Sequence, residues 1–136
     1  MSECLSFFVP GEPRGAGRPR FIRATGHAID PPAAVSYKAM IREHAQAVMG
    51  DRPVMLTGPL KLTLVGYWLK PVSWSKAKRD AAVWHTSTPD WDNIGKIVCD
   101  ALNGIAYADD AAIACATVTK AYGPAYGIWI QLEQLT

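Results

Sequence analysis

The chain has 136 residues, 49% hydrophobic and 19% charged, which suits one folded domain with its own core and excludes a disordered chain or one dependent on disulfide staples. The formal net charge of +2 is a sum of opposed parts: residues 1–89 hold twelve Lys/Arg and six Asp/Glu, whereas residues 90–136 hold two and six. No stretch approaches the roughly 20 apolar residues of a membrane-spanning helix, the start Met1-Ser2-Glu3-Cys4 is unlike a signal peptide, and Cys4, Cys99 and Cys115 have neither zinc nor disulfide spacing, so a soluble cytoplasmic protein is the expectation.

Leu5–Val9 is a short apolar run stopped by Pro10-Gly11 and predicts a strand. Residues 10–20, PGEPRGAGRPR, have loop chemistry, with Arg14, Arg18, Arg20 and Arg23 close together. The Gly15-Ala16-Gly17 triplet is no nucleotide fingerprint, because Arg20 falls where the third glycine belongs and Pro19 interrupts any helix. After the breaker Asp30-Pro31-Pro32, residues 36–49 carry Tyr37, Met40, Ile41, Ala45 and Val48 at helical spacing, with Ser36 as N-cap and Gly50 as stop. Leu60, Leu62, Leu64 and Trp68 alternate as in a strand. Within residues 73–85 a short helix is expected from Ser73 or Ser75, carrying Lys76, Lys78 and Arg79 between Trp74 and Trp84. Residues 92–103 read as a helix, and residues 112–121 and 126–133 as two strands joined by Tyr122-Gly123-Pro124-Ala125, a C-terminal β-hairpin. The sum is an α/β (α+β) domain over residues 1–136, a small mixed sheet with helices packed on it.

The chemistry concentrates in Pro89-Asp90-Trp91-Asp92-Asn93-Ile94-Gly95-Lys96, continuing through Asp100 to Asp109-Asp110. In an extended chain Asp90 and Asp92 point to the same side. On the helix, Ile94, Ile97, Val98, Ala101 and Leu102 share the inward face, and Asp92, Lys96, Asp100 and Asn103 share the opposite one. Asn103-Gly104 suits the helix end, and the return through residues 105–108 lets one of Asp109 and Asp110 face the Asp90/Asp92 pair. Clustered carboxylates repel unless a cation joins them, and hard oxygen ligands favour Mg²⁺ or Mn²⁺, metals that serve phosphoryl displacement. Equally ordinary alternatives exist: an aspartate as N-cap, Asp92–Lys96 as an i,i+4 surface pair, Asp109-Asp110 as a solvated turn. An EF-hand loop is excluded, because Ile94 and Ala101 occupy its ligand positions 5 and 12.

Pro89-Asp90-x-Asp92-Asn93-x-x-Lys96, Asp100-Ala101-Leu102-Asn103-Gly104 and Asp109-Asp110-x-x-Ile113 together resemble the signature of the RusA family of Holliday junction resolvases. Gly11-x-Pro13 with Arg18-Pro19-Arg20, and Ser73-Trp74-Ser75-Lys76, look like its phage and prophage branch. The resemblance implies a homodimeric endonuclease, dependent on Mg²⁺ with Mn²⁺ as a substitute, that nicks opposing strands of a four-way DNA junction. It matches Asp90, Asp92 and Asp110 to the catalytic, metal-binding aspartates and Lys96 to the essential lysine, with Asp109 a further metal candidate. Gly95 and Ala106 depart from the larger residues of the pattern.

Under that reading Arg14, Arg18, Arg20, Arg23, Lys70, Lys76, Lys78 and Arg79 are candidate phosphate contacts, and Trp74, Trp84 and Trp91 candidate stacking groups. The bland alternatives are a solvated helix face for the lysines and packing for Trp91. His27, His44 and His85 share no metal spacing; His44 is expected to pack and His85 to lie in a surface loop. Cys99 and Cys115 are expected to be inert core thiols. Two other functions stay open: a different metal-dependent DNA phosphodiesterase acting on flaps or branches, and a non-catalytic DNA-binding prophage remnant.

Overall fold

A computed structural model of the chain describes residues 3–17, 20–22, 27–29, 32–51 and 54–135, with the backbone alone for 20–22 and 27–29. Arg18, Pro19, Arg23, Asp30 and Pro31 lie outside the described residues, as do the side chains of Arg20 and His27. The architecture is the expected mixed α+β one. Strands β1 (Cys4–Pro10), β4 (Leu60–Trp68), β5 (Ile113–Tyr122) and β6 (Gly127–Gln134) form a sheet in the order β1-β6-β4-β5. A separate two-stranded ribbon pairs β2 (Arg20–Ile22) with β3 (His27–Ile29). The helices are α1 (Pro32–Met49), α2 (Lys76–Ala81) and α3 (Trp91–Leu102), and a 3₁₀ turn, Asp110–Ala112, precedes β5.

Alternation decides which sheet face is covered. In β4 every even residue from Leu60 to Trp68 is buried and every odd one half-exposed. Leu5, Phe7 and Val9 of β1 and Ile128, Ile130 and Leu132 of β6 join the same core. The inward stripes of α1 (Tyr37, Ile41, Ala45) and α3 (Ile94, Ile97, Val98, Ala101, Leu102) close it. Each such aliphatic side chain withdrawn from water contributes about 1.5–3 kcal/mol. Gly66 of β4 is required by its neighbour: a Cβ there would lie 2.8 Å from the Trp68 ring, which folds back along the strand.

Three expectations are corrected. The two C-terminal strands are present and consecutive, but β4 lies between them, so they do not pair as a hairpin. β4 is parallel to β5 and antiparallel to β6. The strand with the continuous apolar face takes a central position, and the Ala- and Thr-rich β5 is left at the edge. Residues 123–126 reach past it, since two inter-strand spacings are roughly 10 Å and four residues span roughly 13 Å. The parallel β4–β5 pair needs a long crossover, which residues 69–112 provide with α2 and α3. Secondly, α1 starts at Pro32, not Ser36, because proline's missing N–H costs nothing at the first helical position. Thirdly, Arg20 belongs to a strand and not a loop; Phe21 and Ile22 favour extended backbone.

Leu64 is fully buried and Thr63 faces the open side of the sheet. Leu64→Ala should therefore lower the unfolding free energy by about 2–5 kcal/mol, and Thr63→Ala by less than about 1 kcal/mol, both measured by urea denaturation.

Candidate active site at the ends of helix α3

Helix α3 sets the positions of Asp90, Asp92 and Asp100, and Asp109 and Asp110 follow the turn beyond its end. Asp90 is its N-cap in extended conformation (φ −68°, ψ 149°), yet its carboxylate makes no capping hydrogen bond, while its carbonyl accepts from Ile94 N at 3.2 Å. Asp92 lies in the first helical turn. Since Trp91 already begins the helix, the extended-chain rule that puts Asp90 and Asp92 on one side does not apply; what the two share is the N-terminal end of α3. Both are exposed, where the partial positive charge of the helix start favours anions. Lys96, exposed one turn further on, borders a small cleft with Lys38 of α1 and Asp100.

Loop 11–17, which carries Glu12 and Arg14, lies directly over this end. Ala16 N donates to Asn93 O at 2.9 Å. A Cβ on Gly15 would sit 2.9 Å from Asn93 Cβ and 3.0 Å from Pro89 Cβ, so only glycine allows this approach. Arg14 and Glu12 border a cavity of about 390 Å³ that extends to Thr88 and Pro89. Beneath the loop, burial pushes the Tyr37 hydroxyl up to about 12, against a weaker opposing pull from Arg14.

Residues 83–87, which lead into α3, are tied to β5. Tyr122 N donates to Val83 O at 2.9 Å, His85 N to Lys120 O at 3.0 Å, and Lys120 Nζ to Ser87 O at 2.6 Å. His85 is not in a surface loop: its ring is buried and stacks on Trp68 at 3.9 Å between centroids, with Nδ1 lacking a partner among the described residues. Burial, reinforced by the Lys120 charge, holds its pKa below the ordinary 6.5. Tyr122 meets His85 edge-on, Trp74 meets Tyr122 edge-on, and Lys78 Nζ sits 4.3 Å from the Trp74 ring centroid. This aromatic chain connects α2 to the Asp90 end of the molecule. Ser75 caps α2 by accepting from Lys78 N, and Lys76, Lys78 and Arg79 are exposed. Lys70 Nζ donates to Arg79 O.

Asp110 is at the other end. Its N–H donates to Asn103 Oδ1 at 2.9 Å, just past the last turn of α3. Asn103 is eleven residues on from Asp92, about 16 Å along the axis. Tyr107, fully buried, donates to Cys99 O at 2.9 Å and its carbonyl accepts from Gly104 N at 2.8 Å, which closes the turn leading back to Asp109 and Asp110. Arg42 of α1 donates to Ala101 O at 3.0 Å near the same helix end, where a cation complements the dipole. Loss of solvation raises the Asp110 pKa, as do the hydrogen bond and charge of Asp109; Asn103 opposes this, and Asp100 adds a further negative charge. No group of three or more Asp, Glu, His or Cys suited to a metal occurs among the described residues. One chain thus presents two separate carboxylate groups, Asp90/Asp92 and Asp109/Asp110 with Asp100.

Further outcomes concern single residues. Trp91 and Trp84 are not core residues, being 65% and 64% exposed. Cys115 is exposed on β5 and not in the core, while Cys99 is half-buried and its thiol is pushed up by burial. His44 is half-buried, with Nδ1 2.8 Å from Met40 O. A Cβ on Gly95 would make only an ordinary 3.7 Å contact with Val118. Sequence reasoning missed Gly15, Lys38, and the His85–Trp68 stack. The Gly-x-Gly spacing was the one visible sign of the first, and Lys38, beside Tyr37 at the edge of the buried stripe, of the second.

The sequence matches the family described as Endodeoxyribonuclease RusA over residues 10–133. It is also similar to the uncharacterized protein YqaN of Bacillus subtilis (strain 168), at 32% identity over 143 residues that cover 98% of this chain and 99% of the relative.

Two outcomes follow from this geometry. The unfolded chain takes up a proton at His85 before the folded one does. The stability from the neutral, stacked ring is therefore complete above pH 6.5 and declines as the pH falls through that value. Thermal melts between pH 7.5 and 5.5 should show this decline, and His85→Phe should reduce it. Gly15→Val should lift the Arg14 loop from α3 and weaken DNA binding about tenfold in a filter or anisotropy assay, with the far-UV circular dichroism unchanged.

Proposed function

Because the chain belongs to the RusA family of Holliday-junction-resolving endodeoxyribonucleases, we propose that it is a structure-selective, divalent-metal-dependent endonuclease that nicks opposing strands of a four-way DNA junction as a homodimer. The observation that carries this reading is the N-terminal end of α3: two exposed aspartates, Asp90 and Asp92, with Lys96 one turn on and the Arg14 loop packed above them. Their chemistry fits Mg²⁺, or Mn²⁺ in its place, which favours one or two carboxylates and leaves its remaining positions to water and phosphate oxygens. Such an ion, when bound, activates water and offsets charge on the phosphate.

The chain's own groups have separate tasks in this reading. Asp90 and Asp92 hold the ion. Lys96 places its ammonium against the scissile phosphate. Arg14, Lys76, Lys78 and Arg79 neutralise phosphates of the junction arms, together with Arg18, Arg20 and Arg23 from the sequence pattern. Asp110, with Asp109 as a further candidate, completes the carboxylate set. Its backbone is hydrogen-bonded to Asn103 at the far end of α3 from Asp92, so it serves an Asp90/Asp92 ion only if a second copy supplies it. Two nicks on a two-fold junction also call for a two-fold protein. No helix among the described residues is long and apolar enough to cross a membrane, and a DNA substrate suits a cytoplasmic protein of phage or prophage type.

The test is cleavage of a synthetic four-way junction. Wild type should nick it symmetrically with Mg²⁺ or Mn²⁺ and stay inactive in EDTA. Asp92→Asn should bind the junction with similar affinity but cut it about a hundredfold more slowly or less. Equal cutting of flaps or linear duplex would show a different phosphodiesterase, and junction binding without cutting a DNA-binding remnant.

A further inference from the structure

The two aspartates at the head of α3 are held differently. Asp92 stands in the first turn of a helix fixed by its own buried stripe. Asp90 precedes that helix in extended conformation, and its carboxylate makes no capping hydrogen bond. Its place therefore depends on the backbone on both sides: α3 after it and the segment leading to it.

That segment is fastened to the end of β5. Val83 O accepts from Tyr122 N, His85 N donates to Lys120 O, and Lys120 Nζ donates to Ser87 O. From Val83 to Thr88 only the His85 side chain is buried; the other five residues are exposed. The imidazole lies flat on the Trp68 indole, 3.9 Å between centroids and 6° between planes, and meets the Tyr122 ring edge-on at 5.4 Å. Trp68 is itself immobilised, folded back over Gly66 where a Cβ would lie 2.8 Å from its ring. One side chain thus anchors six residues of backbone to the sheet, and Asp90 follows two residues later.

A stack on Trp68 asks only for a flat ring, which phenylalanine would also supply. Histidine adds a charge that changes near neutral pH. Its Nδ1 is buried with no partner among the described residues. The charged groups that act on the ring are Lys120 of β5 and Glu12 of loop 11–17. Lys120 disfavours a proton there and Glu12 favours one, but loss of solvation opposes it most. From β5 Tyr122 presents a ring edge, and from β4 Trp68 presents only its face. A protonated ring is therefore better placed in water than in the stack, and leaving the stack removes the anchor of segment 83–88.

We infer that His85 is a positioning residue for Asp90: the neutral ring, stacked on Trp68, fixes the segment that places this aspartate at the head of α3, and protonation releases it. The inference rests on the nuclease reading for the role of Asp90 as an ion ligand. The anchoring of the segment depends on neither metal nor DNA.

The experiment reads Asp90 through a metal alone. Mn²⁺ binding to the DNA-free protein, followed by electron paramagnetic resonance at pH 7.5, should weaken about tenfold in His85→Ala, as is usual when a group that orients a ligand is lost. His85→Phe keeps a ring on Trp68 and should bind Mn²⁺ as wild type does. Below pH 6.5 wild type should lose Mn²⁺ affinity more steeply than His85→Phe, with circular dichroism showing both chains folded. This comparison uses no truncated side chain, so it holds even where His85→Ala does not fold. On a four-way junction with Mg²⁺, His85→Ala should lower kcat about tenfold and leave the junction Kd unchanged. A folded His85→Ala chain with wild-type Mn²⁺ affinity, or parallel pH dependence in wild type and His85→Phe, overturns the positioning role. A lowered melting temperature with unchanged Mn²⁺ affinity would make His85 a structural residue only. Junction cutting that ignores His85 removes this inference and leaves the nuclease reading intact. Mn²⁺ binding that follows His85 in a protein that cuts no DNA does the reverse.

Discussion

The burial of one helix face governs the chemistry of this chain. Ile94, Ile97, Val98, Ala101 and Leu102 are all withdrawn from water against the sheet and α1, and rotating α3 by even one residue, about 100°, would expose part of that stripe. The helix is therefore held in rotation and along its axis. Asp92 and Lys96 are left on its solvent side and Asp90 at its start, with no demand on them from the core. A site built on such an element keeps its geometry because the apolar face, and not the functional side chains, holds it.

The two ends of that helix have opposite electrostatic settings. At the start, the helix dipole, the Arg14 loop and the lysines near the C-terminal end of β5 gather positive charge around two aspartates. At the finish, Asp100, Asp109 and Asp110 crowd together near a dipole end that already disfavours anions, and loss of solvation, with the hydrogen bond and charge of Asp109, raises the Asp110 pKa. Arg42 on Ala101 O offsets the dipole there, and Lys38 and Lys96 border a cleft with Asp100. The near-neutral total charge of +2 conceals this division, which follows from the position of α3 between a basic N-terminal half and an acidic C-terminal one.

Much of this was visible in the residues. The strand β4, the inward stripe of α3, the turn at Asn103-Gly104 and the short helix capped by Ser75 follow from period and local hydrogen bonding, which depend on near neighbours in the chain. So does the Asp–x–Asp–x–x–x–Lys pattern that carries the family resemblance. What could not be read were contacts between distant segments. Gly15 is needed only because Asn93 and Pro89 press against it. His85 is buried only because Trp68 folds over Gly66 to receive it. The C-terminal strands looked like a hairpin because their turn is short and their alternation clean, properties shared by any two consecutive antiparallel strands.

The sequence by itself determined which side chains are available for chemistry and which face of each element turns inward, because alternation and helical spacing are local and hydrophobic burial acts on them directly. The tertiary structure decided neighbours: β4 between β5 and β6, the Arg14 loop over Asp90, and Asp110 at the far end of α3 from Asp92. Strand order and helix placement are set by which apolar faces fill the shared core best, a competition among segments remote in the chain that no local period encodes.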